Sequence, residues 1–267
     1  MNIIDIIKDF FSKLFGSLNG PSFKKFADPN GPFKGYGLVN NWSAQDAKKY
    51  MEALVSNDVQ FMAFEFFEWG LPEKFADVDN LLKKFEKYLD LSQSKKMNLY
   101  VTLLNCNLGS GKYDDPRIKA PTYNVQIMKA ANQFAVWMKK YSNIYLTPCG
   151  EGGNQSPAYE KTLQSWCKQN MPLKQLVNNW ASRPTNTDGM GFLCQHPAST
   201  KSPFKLWVMS DHGLLIKELN GGGLYGKCNY NITMSYAKKV PQFIYYHFDR
   251  NGTIDMEALR ALKDSQK

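Results

Sequence analysis

No stretch of the 267-residue sequence reaches the roughly 18–20 consecutive apolar residues that a membrane-spanning helix needs, so no span is expected. Runs of five or more Lys or Arg are also missing. The basic residues behind the formal charge of +9 are scattered, often as pairs such as Lys48-Lys49, Lys83-Lys84 and Lys139-Lys140. Pairs of this kind on predicted helices read as solvated outer faces, and nucleic acid is not an expected partner. The five cysteines (Cys106, Cys149, Cys167, Cys194 and Cys228) are odd in number and never spaced as CxxC. Neither a disulfide framework nor a zinc knuckle follows from them. HxH and HExxH spacings are absent too, and no cofactor is expected. A secretory signal is lacking as well: Asp5, Lys8, Asp9 and Lys13 break up the N-terminal apolar residues, and no small-residue cleavage site follows. The expectation is therefore a cytoplasmic or assembly-associated protein, unless another export route is used.

What is present is a large supply of core. Hydrophobic residues make up 43% of the chain and aromatics 14%, with six Trp and 14 Tyr. That suits one large packed domain or a groove that stacks flat ligands. Ile3, Ile7, Phe10, Phe11, Leu14, Phe15 and Leu18 form one helical stripe, so residues 1–19 read as an amphipathic helix. Such a helix either covers one end of the main domain or docks on a protein partner or surface. Residues 20–32 then read as a Gly/Pro-punctuated linker, and 33–267 as one domain.

From Phe33 a strand–helix pattern repeats. "GYGLVNNW", "VQFMAFEFFEWG", "MNLYVTLLNCN" and "NIYLTPCG" read as four strands, each followed by an amphipathic helical stretch. Consecutive units of this kind imply parallel strands with crossover helices. In the second half "QLVNNWAS", "GFLCQH", "KLWVMSDHG" and "QFIYYHFD" are the candidate strands five to eight. The helices after strands five and six are expected to be short or missing. Eight strands in this length predict an α/β protein of the (β/α)8 barrel class. A doubly wound sheet is the competitor, but "GYGLVN" is not its Gly-rich phosphate turn.

In such barrels the working face lies at the C-terminal ends of the strands. There the expected strands deliver Asn41 and Trp42, Glu65 and Trp69, Asn105, Glu151, Trp180, His196, Asp211 and His212, and His247. All three histidines fall at the ends of strands six, seven and eight on this assignment. Amides, carboxylates, imidazoles and indoles together suit a sugar, which needs hydrogen bonds for its hydroxyls and a flat apolar face for its ring. A phosphate would call instead for convergent Arg or Lys, of which Arg183 and Arg250 are the only arginines nearby.

A (β/α)8 barrel with Glu151 at the exit of strand four, in "IYLTPCGEGGNQ", resembles the retaining glycoside hydrolases of the cellulase and β-glycosidase clan. The resemblance spans about residues 33 to 267. It implies Glu151 as general acid/base and a second carboxylate at the end of strand seven as nucleophile. Asp211 in "MSDHG" takes that place on the strand assignment above, and Glu218 in "LLIKELNGGG" takes it if the strand lies later. The clan's Asn before the strand-four glutamate is Gly150 here. One carboxyl must carry a proton for the leaving oxygen while the other stays ionised beside an oxocarbenium-like centre. Two other readings stand beside this one. The first is a barrel that binds glycan without cleaving it, or serves as a structural part of a larger assembly such as a viral particle. The second is a metal-dependent hydrolase drawing on Glu65 or Glu68, Glu151, His196, Asp211 and His247.

Overall fold

The computed structural model of the chain describes residues 26–29, 31–38, 47–67, 77–105, 125–150, 157–180, 189–195, 214–221, 230–247 and 254–267. These residues hold eight strands: β1 (Phe33–Leu38), β2 (Phe61–Phe67), β3 (Asn98–Asn105), β4 (Ile144–Gly150), β5 (Val177–Trp180), β6 (Phe192–Gln195), β7 (Leu214–Gly221) and β8 (Gln242–His247). They also hold helices α1 (Ala47–Ser56), α2 (Val78–Lys95), α3 (Val125–Lys140), α4 (Pro157–Asn170), α5 (Tyr230–Lys239) and α6 (Met256–Asp264). A 3-10 turn, Leu173–Gln175, precedes β5.

Local sequence accounts for the helices. In α2 the Asp77 side chain accepts the Asn80 backbone N–H at 3.3 Å and so caps an otherwise unpaired donor. Leu81, Phe85, Tyr88, Leu89 and Ser92 then recur at helical spacing and are buried. In α3 the same period brings Ile127, Ala130, Ala131, Phe134, Trp137 and Met138 inward. Phe64 and Phe66 of β2 meet these helices in an aromatic cluster, with Phe64 edge-on to Phe85 and Phe66 edge-on to Phe134. Such contacts add to what area burial alone provides.

The strands are all parallel, in the order β4-β3-β2-β1-β8-β7-β6-β5. The two outer members join through a parallel bridge between Leu146 and Leu176, which closes the sheet on itself. Thr147 reinforces that join by donating its hydroxyl to the Val177 carbonyl at 2.8 Å. Parallel strands with crossover helices, closed into a ring of eight, form the (β/α)8 barrel that the sequence pattern predicts. Among the described residues no α-helix lies between β5 and β6 or between β6 and β7; most of both connections falls outside them.

Alternation along the strands divides the core in two. Phe33, Phe61, Ala63, Tyr100, Tyr145, Val177, Ile244 and Tyr246 fill the barrel interior. Their sequence neighbours, Met62, Phe64, Leu99, Val101, Ile144, Leu146 and Phe243, pack on the helix layer. β1 contributes glycines to the interior where β8 contributes large side chains. A Cβ on Gly37 would stand 2.4 Å from the Tyr246 ring, so the ring occupies the space that β1 leaves open.

One strand differs from expectation. The seventh place in the ring is taken by Leu214–Gly221, not by "KLWVMSDHG", whose residues lie outside the described set. β7 pairs with β6 through Phe192↔Leu214 and with β8 through Ile216↔Gln242. Both stretches are short apolar runs with a polar tail, and periodicity does not separate such runs. Pairing on two sides does.

Candidate functional site at the C-terminal end of the barrel

The interior changes character toward the C-terminal ends of β2, β3 and β4. Tyr100 and Tyr145 are in register and form part of the apolar plug. Two residues further on, Glu65, Thr102 and Thr147 are in register across the three strands. All three are buried, Glu65 with 7% of its surface exposed. Alternation puts Glu65 on the same face as Phe61 and Ala63, and the two threonines on the face of Tyr100 and Tyr145. A carboxylate and two hydroxyls thus line the wall just below the mouth. Charged groups are seldom buried to this degree without a structural or chemical role. Glu65 was legible in the sequence as a strand-end acid. Thr102 and Thr147 were not, because threonine is an ordinary strand residue.

The other expected site residues sit as follows. β4 ends at Gly150, which pairs with Asn105, so Glu151 is the first residue past the strand. Glu151 itself lies outside the described residues, as do Asn41, Trp42, Trp69, His196, Asp211 and His212. The backbones of Asn105, Trp180 and His247 form the last residues of β3, β5 and β8. His196 directly follows β6.

The corrected seventh strand changes the assignment of two residues. Asp211 and His212 come just before β7 in the chain, on its N-terminal side, so neither stands at its C-terminal end. The alignment of three histidines at successive strand ends is therefore reduced to His196 and His247. Glu218 lies within β7, in register with Ile244 of β8, one of the interior residues. Asn178 is buried on β5 beside Val177, and alternation gives it the opposite face. Both of its amide atoms lack a hydrogen-bond partner among the described residues.

No group of three His, Cys, Asp or Glu side chains suited to a metal ion occurs among the described residues, although most of the proposed ligands lie outside them. Cys149 and Cys167 are buried. No described helix is long and apolar enough to cross a membrane.

No protein-family model and no curated protein matches the sequence. Solved structures do match the fold. A glycoside hydrolase family 5 protein from Bacteroides vulgatus superimposes with a TM-score of 0.61 at 10% identity, covering 91% of this chain and 69% of that one. A β-mannanase from the blue mussel Mytilus edulis gives 0.53 at 10% identity, over 87% and 90% of the two chains. The endo-β-1,4-mannanase of Thermotoga petrophila gives 0.57 at 9% identity, over 91% and 77%. At these identities the likeness is one of fold, and in that fold the chain resembles the TIM-barrel glycoside hydrolases.

Proposed function

We propose that the chain is a glycoside hydrolase acting on a poly- or oligosaccharide, with Glu151 as general acid/base and Glu218 as its carboxylate partner. The observation that carries this reading is the placement of two acids on opposed strands. Glu151 is the first residue after β4, and Glu218 belongs to β7, three strands away round a ring of eight. Glu218 is the one acid of β7 and precedes the C-terminal end of that strand by three residues, and the C-terminal end is where such barrels carry their chemistry.

The chemistry follows from the two roles. Glu151 gives its proton to the glycosidic oxygen as the bond to the anomeric carbon breaks. The Glu218 carboxylate takes the anomeric carbon, and water, deprotonated by Glu151, then releases the sugar. Gly150 and Gly152 on either side of Glu151 leave room for a bulky substrate beside it. Glu65, with Thr102 beside it in register, offers hydrogen bonds to the sugar from the inner wall. Asn41, Trp42, Trp69, Asn105, Trp180, His196 and His247 are the amides, indoles and imidazoles that this reading assigns to the sugar. The mannanases among the structural neighbours make mannans a natural first substrate to try.

The test is reducing-sugar release from a panel of neutral and acidic polysaccharides, mannans included. Glu151→Gln is expected to lower turnover by about 10²–10⁴-fold, and Glu218→Gln by at least as much, while Asp211→Asn leaves it nearly unchanged. A large loss with Asp211→Asn and none with Glu218→Gln would refute the pairing. Glycan binding without turnover by wild type on every substrate would instead support a non-catalytic barrel.

A further inference from the structure

The N-terminal end of a (β/α)8 barrel ordinarily serves stability, and its conserved chemistry lies at the other end. Here that end carries a cleft of about 410 Å³, a size typical of small-molecule sites. Phe26, Asp28, Asn98, Ser142, Tyr145 and Lys174 contribute its chemistry, beside Gln175 and Gly191 in its wall. Asn98 and Tyr145 stand near the starts of β3 and β4. The cleft therefore opens at the opposite end from Glu151 and Glu218.

Bonds between distant parts of the chain hold both walls in place. On one side Asn98 Nδ2 donates to the Ala27 carbonyl at 3.1 Å, and Gln242 Nε2 donates to the Gly31 carbonyl at 3.1 Å. On the other, buried Gln175 donates through Nε2 to the carbonyls of Tyr141 at 3.0 Å and Ile144 at 2.8 Å. Gly191 closes that wall. Its N–H donates to the Leu173 carbonyl, and a Cβ there would stand 2.5 Å from the Lys174 carbonyl oxygen. The cleft is preformed, which lowers the ordering cost of binding.

Its lining has a definite chemistry. The Tyr145 phenol is held up to about 12 by burial and by the Asp28 carboxylate, so it stays protonated through the neutral range. Tyr145, Asp28, Lys174 and Phe26 thus line one cleft, with Lys96 Nζ 5.1 Å from the Phe26 ring centre. Vicinal hydroxyls of a sugar match this set: they donate to the carboxylate and accept from the phenol and the ammonium. The apolar C–H face of a sugar ring packs on the face of an aromatic side chain such as Phe26.

From this juxtaposition we infer that the N-terminal end of the barrel is a second, non-catalytic site for a neutral sugar unit of a glycan, remote from the mouth. Such a site would hold the protein on a polymer while the mouth acts on another stretch. The site does not require the proposed hydrolase activity, because retention is measured without turnover.

The experiment measures retention of the full chain on insoluble mannan, insoluble cellulose and an immobilised acidic polysaccharide. It compares wild type, Glu151→Gln, Asp28→Ala/Lys174→Ala and Tyr145→Phe, with thermal melts confirming that each variant folds. The double variant is expected to lose about tenfold in affinity for a neutral polymer, Tyr145→Phe less, and Glu151→Gln nothing. Hydrolysis of short soluble oligosaccharides, where present, is expected to be the same in the double variant as in wild type. Undiminished retention in both cleft variants would overturn the inference, as would failure of wild type to bind any neutral polymer. Binding confined to the acidic polymer would overturn the neutral-sugar assignment.

Discussion

The two halves of the barrel meet at two seams, and the seams are built differently. Between β1 and β8 the join is a full ladder, in register from Phe33↔Gln242 to Leu38↔His247. A buried lysine reinforces it: Lys34 Nζ donates to the carbonyls of Ala237 at 2.6 Å, Val240 at 2.8 Å and Pro241 at 3.4 Å. These carbonyls lie at the C-terminal end of α5, where a cation is favoured. Between β4 and β5 the ladder shrinks to the Leu146–Leu176 bridge. Side chains take over there, with Thr147 reaching the Val177 carbonyl and Gln175 reaching those of Tyr141 and Ile144. A barrel can thus be closed by strand pairing or by a few buried polar side chains. The second way concentrates stability in single residues.

Substitutions at the seams test that contrast. The largest effect is expected from Gln175→Leu, which leaves two carbonyls without their donor and should cost about 2–4 kcal/mol in chemical denaturation. A loss below about 1 kcal/mol would mean that the strand bridge alone carries the β4–β5 seam. Next comes Lys34. Burial pulls its ammonium from the ordinary 10.5 down to about 8. Between those values the unfolded chain holds a proton that the folded chain has released, so stability should rise with pH across the window. The contribution of this group is at most about 1.4 kcal/mol per pH unit. Lys34→Met should flatten the stability curve over that range, and an unchanged slope would show that the group does not titrate there. The smallest effect is expected from Thr147→Val, about 1 kcal/mol, with faster amide exchange confined to β5. Exchange that rose equally in β1 would erase the distinction between the seams.

Much of the fold was legible because the first half repeats one pattern cleanly. The α2 stripe of Leu81, Phe85, Tyr88 and Leu89 reports a period that a helix alone satisfies, and "FMAFEFF" is a short apolar run buried along its whole length, as a parallel strand covered on both faces requires. The same logic located β5, β6 and β8 approximately. It misplaced β7, because two neighbouring apolar runs carry equal local signal and only pairing with β6 and β8 selects between them. Glu151 and Glu65 were read from strands that local pattern places well, whereas Asp211 and His212 depended on the one strand that it misplaced.

The sequence by itself determined which stretches are apolar on one face, and with that the strand–helix alternation, the parallel sheet and the barrel class. Those properties depend on periods of a few residues and need no knowledge of distant chain. Tertiary structure alone decided what depends on partners far apart in sequence. It chose the seventh strand, and with it Glu218 over Asp211 as the acid on β7. It set Glu65, Thr102 and Thr147 in one row, turned Asn178 away from the interior, and drew Lys34 onto the end of α5. It also left a polar cleft between Asp28 and Lys174, since register and closure are properties of the assembled ring and of no single segment.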